Sequence, residues 1–326
     1  MRVVKFSEVK EGDILGRSIY TPDGYPLLRR GVYLERKHIE GLAKFNLPFL
    51  VLFDDEEEKE VYEKSTGLVT SPFLKEIREI YLNFRRNIKS YIQPLDGEGE
   101  ESVLKRVDKA LQSKKLGMTF LVERGKRVTL AILGEILRGD RKLLSLGSFN
   151  YEDGGMLWEH WLNVSVLSMF TAFSLGYKTR NIWEIGVAAL FHDIGKLFLD
   201  LEEFFFDPFR GRDDVDFKAV MHTILGYGLL RSLRNLSIGV SHVAYQHHER
   251  FDGTGYPRGL ERGEISGGAR IVALCNYFDA LLSGRLGFLP STEKACLRVE
   301  NLSDSYFDPK VVDVFISGVV RREMLH

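Results

Sequence analysis

The segment from Trp158 to Leu175 is apolar nearly all the way round, a pattern a soluble chain satisfies only by burying that helix inside a bundle. From about residue 149 long apolar helical segments succeed one another, and most of the histidines gather between His160 and His248. The interior of a bundle is a costly place for imidazole and carboxylate unless something satisfies them. The chain therefore reads as mainly α, with its chemistry in the C-terminal helical bundle.

The 326 residues leave room for about two domains at roughly 100 to 200 residues each. Short apolar runs alternate with the turn signals Lys10-Glu11-Gly12-Asp13, Thr21-Pro22-Asp23-Gly24 and Arg30-Gly31, which predicts a small β-rich N-terminal module over 1–60. A helix around Glu35 to Lys44 and a strand over Phe49 to Phe53 close that module. Helical linker elements are expected over 61–148: Phe73 to Tyr91 has the three-and-four spacing of an amphipathic helix, suited to linking or dimerising, and Val103 to Gln112 and Val128 to Leu137 follow. The bundle domain takes 149–326, with Asn181 and Glu184 in capping-box positions at the start of one of its helices.

Composition excludes several functions. A net charge of −1 provides no global field for a nucleic acid polymer or an anionic membrane. No apolar stretch approaches the ~20 residues that cross a bilayer, and the charged start lacks a signal-peptide core, so the expected location is cytoplasmic. Cys275 and Cys296 are too few for a disulfide framework and wrongly spaced for a zinc knuckle, so any metal falls to histidine and carboxylate.

Two strings carry such groups. In His192-Asp193-Ile194-Gly195-Lys196 a polar pair ends an apolar helix and a cation follows one turn later. Read as a continued helix, the spacing puts Lys196 on the side of His192 and Asp193, in reach of an anion bound over a metal. An ion-paired core would also satisfy the pair. The second string is His247-His248-Glu249-Arg250-Phe251-Asp252-Gly253-Thr254-Gly255-Tyr256-Pro257. Adjacent imidazoles project about 100° apart on a helix and can serve two metals, or one metal and a phosphate. The tripeptide Gly24-Tyr25-Pro26 near the N-terminus reads as part of a hairpin, so only the full string is specific.

Together these strings resemble the HD-GYP domain, a helical HD-superfamily phosphohydrolase of bacterial cyclic-di-GMP signalling. The resemblance covers residues 149–326 and includes His160 with Asn163-Val164, His222 before Gly226, Arg270-Ile271 leading to Asp279-Ala280-Leu281, Arg285, and Phe307-Asp308-Pro309. More weakly, Gly12 to Val51 resembles the β-rich module that precedes some such domains. The resemblance implies metal ligands at His160, His192, Asp193, His222, His247 and His248, with Asp193 bridging two divalent transition metals, iron or manganese. Phosphate and guanine contacts fall on Lys196, Tyr256 and Arg285. The implied activity is metal-dependent hydrolysis of cyclic di-GMP to linear pGpG or GMP, with Asp193 and Lys196 at the reaction, and with GGDEF or other signalling proteins and a second copy of the chain as further partners.

The chain departs from the family pattern at three places. Asn276 stands where an Asp ligand is usual, which removes a negative charge but leaves an amide oxygen that can still ligate a metal, more weakly. Met156 stands where members with a third metal carry Glu, so at most two metals are expected. The Lys-Pro-Gly loop after the first string is replaced by Phe204 to Arg210, and Phe288 stands at a position that is often basic. These departures motivate the alternative of a catalytically degenerate domain that binds the dinucleotide or a partner protein without turnover.

Overall fold

Leucines and valines spaced along short N-terminal strands close a small core, while the longer helical repeats downstream form a second and larger one. A computed structural model describes residues 2–16, 19–20, 26–28, 31–45, 47, 49–55, 72–89, 118–138, 157–199, 217–233, 235–282 and 292–320. Strand β1 (Arg2–Lys5) pairs antiparallel with β4 (Phe49–Leu52), Arg2 opposite Leu52 and Lys5 opposite Phe49. A hairpin pairs β2 (Ile19–Tyr20) with β3 (Pro26–Leu28); its turn, 21–25, lies outside the described residues. Helix α1 (Arg36–Leu42) packs Leu42 into a core with Val4, Leu15, Leu34, Leu50 and Leu52.

The rest of the described chain is mainly helical: α2 (Pro72–Lys89), α3 (Met118–Leu137), α4 (Leu157–Ser174), α5 (Thr179–Leu190), α6 (Phe217–Ser232), α7 (Ile238–Gln246), α8 (Gly267–Leu282), α9 (Thr292–Asn301) and α10 (Pro309–Val314). The mainly α class expected from the apolar periodicity is what the chain adopts. Helix α4 runs through the middle, as its all-round apolar surface requires: Trp161, Val164 and Met169 are fully buried, and Ser165 Oγ donates to Gly186 O of α5 at 2.8 Å.

Helices α2 and α3 contribute to the same buried cluster as the C-terminal helices. Tyr81 of α2 meets Trp161 of α4 edge-on at 5.7 Å, and Phe84 meets Phe191 at 5.8 Å. Trp183 of α5 donates its indole N–H to Lys126 O of α3 at 3.2 Å. Helix α3 starts ten residues before Val128, because the charged residues that interrupt its apolar pattern have neighbours to reach. Arg124 grips Glu76 of α2 through Nε and Nη2 at 2.7 and 2.8 Å. Lys126 Nζ meets Glu123 at 2.8 Å.

The expected cap at Asn181 is corrected. Helix α5 begins at Thr179 after Lys178, so Asn181 lies within its first turn. Glu184 instead faces Arg180 Nε at 3.2 Å and accepts from Ser237 Oγ at 3.1 Å, which ties α5 to the start of α7. The expected helix Val103 to Gln112, Tyr91, Met156, Phe204 to Arg210, Arg285 and Phe288 all lie outside the described residues.

Replacing Phe84 with Ala removes a fully buried ring from the contact between α2 and the turn that follows α5. The expected cost is about 3 to 5 kcal/mol of unfolding free energy, read by urea denaturation of the whole chain. A loss under about 1 kcal/mol would contradict the shared core.

Candidate metal centre

Helix α5 ends at Leu190, and Phe191 leaves the helical region with φ −114°. His192 and Asp193 therefore occupy a turn, followed by a 3₁₀ segment, Ile194–Phe198. The crossing of this segment over α6 is too close for any side chain at residue 195. A Cβ on Gly195 would lie 1.9 Å from His222 O and 2.7 Å from Gly226 N. That approach brings His222 beside Asp193. Helix α7 ends at Gln246 and releases His247 and His248 at its C-terminus, while α4 supplies His160 and α8 supplies Asn276 and Asp279.

The Asp193 carboxylate sits between two sets of imidazoles. Its Oδ2 lies 3.6 Å from His160 Nε2 and 3.5 Å from His192 Nε2. Its Oδ1 lies 3.3 Å from His222 Nε2 and 3.4 Å from His247 Nε2. His160, His192 and Asp193 form one group of converging donors, and Asp193, His222, His247 and His248 form another, each group within 4.8 Å. Donors about 2.0 to 2.2 Å from a common ion stand roughly 3 Å or more from one another, so these spacings suit a metal.

Backbone and carboxylate acceptors fix the tautomers. His192 Nδ1 lies 2.7 Å from Ala189 O, and His247 Nδ1 lies 2.9 Å from Ala244 O. A carbonyl only accepts, so each Nδ1 carries the proton and each Nε2 offers a lone pair to the centre. Asp279 Oδ2, at 2.6 Å, does the same for His160 Nδ1, and Asn163 Nδ2 holds the other oxygen of Asp279 at 2.9 Å. Among the described residues, His192 Nε2, Asp193 Oδ1, His248 Nε2 and Asn276 Oδ1 are buried atoms that lack a hydrogen-bond partner. Those of His192, Asp193 and His248 belong to the two donor groups, and orphaned acceptors gathered in this way are what a cation satisfies.

Burial pushes the His192 imidazole well below its usual range and brings His222 down to about 4. His248 is lowered by burial and then by His247 and His222. These rings are neutral, which is the ligating form. Burial by itself raises the Asp193 carboxyl, but the Lys196 ammonium and the neighbouring imidazoles hold it well below the carboxylate range. The centre thus presents an anion beside the neutral imidazoles of His192, His222 and His248.

The segment after His248 folds back over the centre. A Cβ on Gly255 would lie 2.3 Å from Arg250 N, so only glycine permits the return. Tyr256 N donates to His248 O at 3.1 Å, and the Tyr256 ring stacks on His248 at 4.8 Å and 13°. The Glu249 carboxylate holds the loop beyond by accepting from Arg258 N and Leu260 N at 2.8 and 3.0 Å. Asp308, which caps α10 through Lys310 N, also pairs with Arg270. The Arg270 and Phe307-Asp308-Pro309 strings therefore brace the fold against each other.

The structure brings together His160, His192, Asp193, His222, His247 and His248, with Lys196 and Tyr256 beside them. Asn276 lies one turn before Asp279 on the same side of α8 and is buried. Arg285 is not described. Lys196, expected on the side of His192 and Asp193, stands on a 3₁₀ turn that returns every third residue and not on a continued helix. Its Nζ meets Asp193 Oδ2 at 2.6 Å. Asp279 and Glu249 were without an assigned role in sequence; both stood inside quoted strings, but nothing in a linear pattern says which backbone or ring they reach.

For metal-free protein, the unfolded His222 titrates near 6.5 and the folded one near 4. Protons thus bind the unfolded chain first, and stability is greatest above 6.5 and falls as pH drops toward 4. Thermal denaturation in chelator across that window should show a falling midpoint; a midpoint that rises on acidification would contradict the burial of neutral imidazoles.

Residues 162–311 match the HD domain family. The chain is 34% identical over 202 residues to the cyclic di-GMP phosphodiesterase response regulator RpfG of Xanthomonas campestris, covering 60% of this chain and 52% of that protein. It is 34% identical over 173 residues to a cyclic di-GMP phosphodiesterase of Thermotoga maritima, covering 50% and 46%. Similarity extends to 3'3'-cGAMP-specific phosphodiesterase 3 of Vibrio cholerae, 35% identical over 155 residues, covering 46% and 33%. The chain thus spans about half the length of the first two relatives and a third of the last. No described helix is long and apolar enough to cross a membrane. The matched segment, which is similar to HD domains, holds His192, Asp193, His222, His247 and His248.

Proposed function

We propose that this centre hydrolyses a phosphodiester bond of a cyclic dinucleotide, cyclic di-GMP in the first place, giving linear pGpG or GMP. The observation that carries the reading is Asp193, a fully buried carboxylate with one oxygen turned to each of two histidine groups. Relatives named as cyclic di-GMP phosphodiesterases support the substrate. Two divalent metals, iron or manganese, suit a set of imidazoles and one carboxylate without thiolate. When bound, they supply a polarised phosphoryl group and an activated water.

The chain's own residues have separable roles in this reading. His160, His192 and Asp193 Oδ2 would hold one ion, with the Asn276 amide as the further candidate donor from α8. His222, His247, His248 and Asp193 Oδ1 would hold the other. Lys196 keeps Asp193 ionised and places a positive charge where phosphoryl charge grows. Tyr256, stacked on His248 with its hydroxyl lacking a described partner, offers a hydrogen bond to the substrate. Arg285 is assigned to a phosphate or guanine by resemblance. Residues 149–326 would form the catalytic domain, with 1–60 as a sensing module and 61–148 as the connection, GGDEF or other signalling proteins being the class of partner. Cytoplasmic placement fits a second-messenger substrate.

A second reading, dinucleotide binding without turnover, is favoured by Asn276, the neutral amide on α8. The deciding experiment adds cyclic di-GMP, and separately 3'3'-cGAMP, to anaerobically purified protein with iron or manganese and separates the products. Formation of pGpG or GMP is expected; binding without product would favour the second reading.

Asp193→Ala should remove most of both metals, whereas single histidine changes remove less. Full metal retention in that variant would sink the bridging assignment. Tyr256→Phe should weaken dinucleotide binding by about 1 to 3 kcal/mol with metal content unchanged, measured by calorimetry. Asn276→Asp restores a carboxylate with almost no change in volume and should raise metal occupancy and turnover together.

A further inference from the structure

The two groups of donors around Asp193 are not equivalent. The group on Oδ1 has three imidazoles, His222, His247 and His248, and a carboxylate oxygen that makes no hydrogen bond. The group on Oδ2 has two imidazoles, His160 and His192, and its carboxylate oxygen is already engaged at 2.6 Å by the Lys196 ammonium. An ammonium at that distance draws on the same negative charge that a cation would need. Helix α8 could have restored the balance, but the residue there is Asn276, whose buried amide oxygen is neutral and has no described partner. One turn later, Asp279 does carry charge, yet both of its oxygens are committed, one to His160 Nδ1 and one to Asn163. Its effect is to strengthen His160 as a donor and not to add a ligand.

Charge points the same way. With both positions filled, two dications and the Lys196 ammonium would stand against the carboxylates of Asp193 and Asp279 in a place where His160, His192 and Asp193 have no exposure. Excess positive charge held away from water is strongly disfavoured unless an anion arrives with it. A phosphate group is such an anion, and it also offers the Lys196 ammonium a further acceptor. Linkage then requires that the anion tighten the metal by the same factor as the metal tightens the anion.

We infer that the His222/His247/His248 position holds its metal in the resting protein, while the His160/His192 position is of low affinity and is completed by an anion, with Lys196 as the residue that couples the two. The inference rests on the two-metal reading of the centre but not on the identity of the substrate. It makes Lys196 a device for loading the second ion together with a phosphorylated ligand.

The test uses metal-stripped full-length protein and Mn²⁺, with equilibrium dialysis and electron paramagnetic resonance as readouts and inorganic phosphate as the anion probe. Mn²⁺ alone should bind with one equivalent at least tenfold tighter than the second, and phosphate should tighten the second severalfold and leave the first unchanged. Lys196→Met should tighten the second equivalent in the absence of phosphate and abolish the phosphate effect. Asn276→Asp should tighten it too but keep the phosphate effect, and His248→Ala should weaken the first equivalent only. Two equal equivalents in wild type, a phosphate effect shared by both, or weaker second binding in Lys196→Met would each overturn the inference. Because no dinucleotide is used, these outcomes stand apart from the hydrolysis experiment: failure to cleave cyclic di-GMP would remove the substrate assignment and leave the unequal positions intact.

Discussion

A carboxylate with no solvent exposure, Asp193, is the constraint around which the bundle is organised. Burying that charge is costly in itself, and every element nearby contributes to holding it: an ammonium three residues on, and imidazoles delivered by α4, by the end of α5, by α6 and by the end of α7. Removing such a group from any one of these elements leaves the others with lone pairs that point at nothing. The centre and the fold are therefore one problem in electrostatics. The neutral state of His192, His222 and His248 follows from their burial, whereas Asp193 stays ionised against its own burial because the Lys196 ammonium and the neighbouring imidazoles hold it so.

The close crossing at Gly195 converts this electrostatic requirement into a backbone one. Two main chains meet there at a distance that excludes a Cβ, and His222 lands beside Asp193 as a result. Second contacts then fix direction. Carbonyls of the preceding turns, Ala189 O and Ala244 O, and the Asp279 carboxylate each take an Nδ1 proton, so that the opposite nitrogens face inward. Helices α2 and α3 press on the same region from outside through Phe84 against Phe191, the residue next to His192. Anything that shifts α2 would be felt within one residue of the centre, a physical route from the N-terminal half to the site.

Much of this was legible in the chain as written. The all-round apolar character of Trp158 to Leu175 reads as a buried helix because no other environment accepts it, and α4 is that helix. The periodicity of Phe73 to Tyr91 reads as amphipathic, and α2 follows it closely. Histidine and aspartate in apolar segments are legible as a site because burial without partners is disfavoured whatever the fold. Helix starts were harder to read. The helix expected from Val128 begins at Met118, and the acids that Arg124 meets lie in a different element, which its own segment does not reveal. Asn181 looked like a cap because local sequence gives no weight to Ser237, to which Glu184 is bound.

By itself the sequence determined the class of structure, the helices that must be buried and the donor types available to a metal, since these depend on side-chain polarity and spacing along one element. Tertiary structure alone decided the pairings. That Asp193 turns one oxygen to each histidine group, and that Asp279 serves His160 while Asn276 is left with an unpartnered amide, are facts about elements separated by tens of residues. Electrostatic and hydrogen-bond energies depend on distances of a few ångströms, and those distances are set by how helices cross and where they end, which no local pattern encodes.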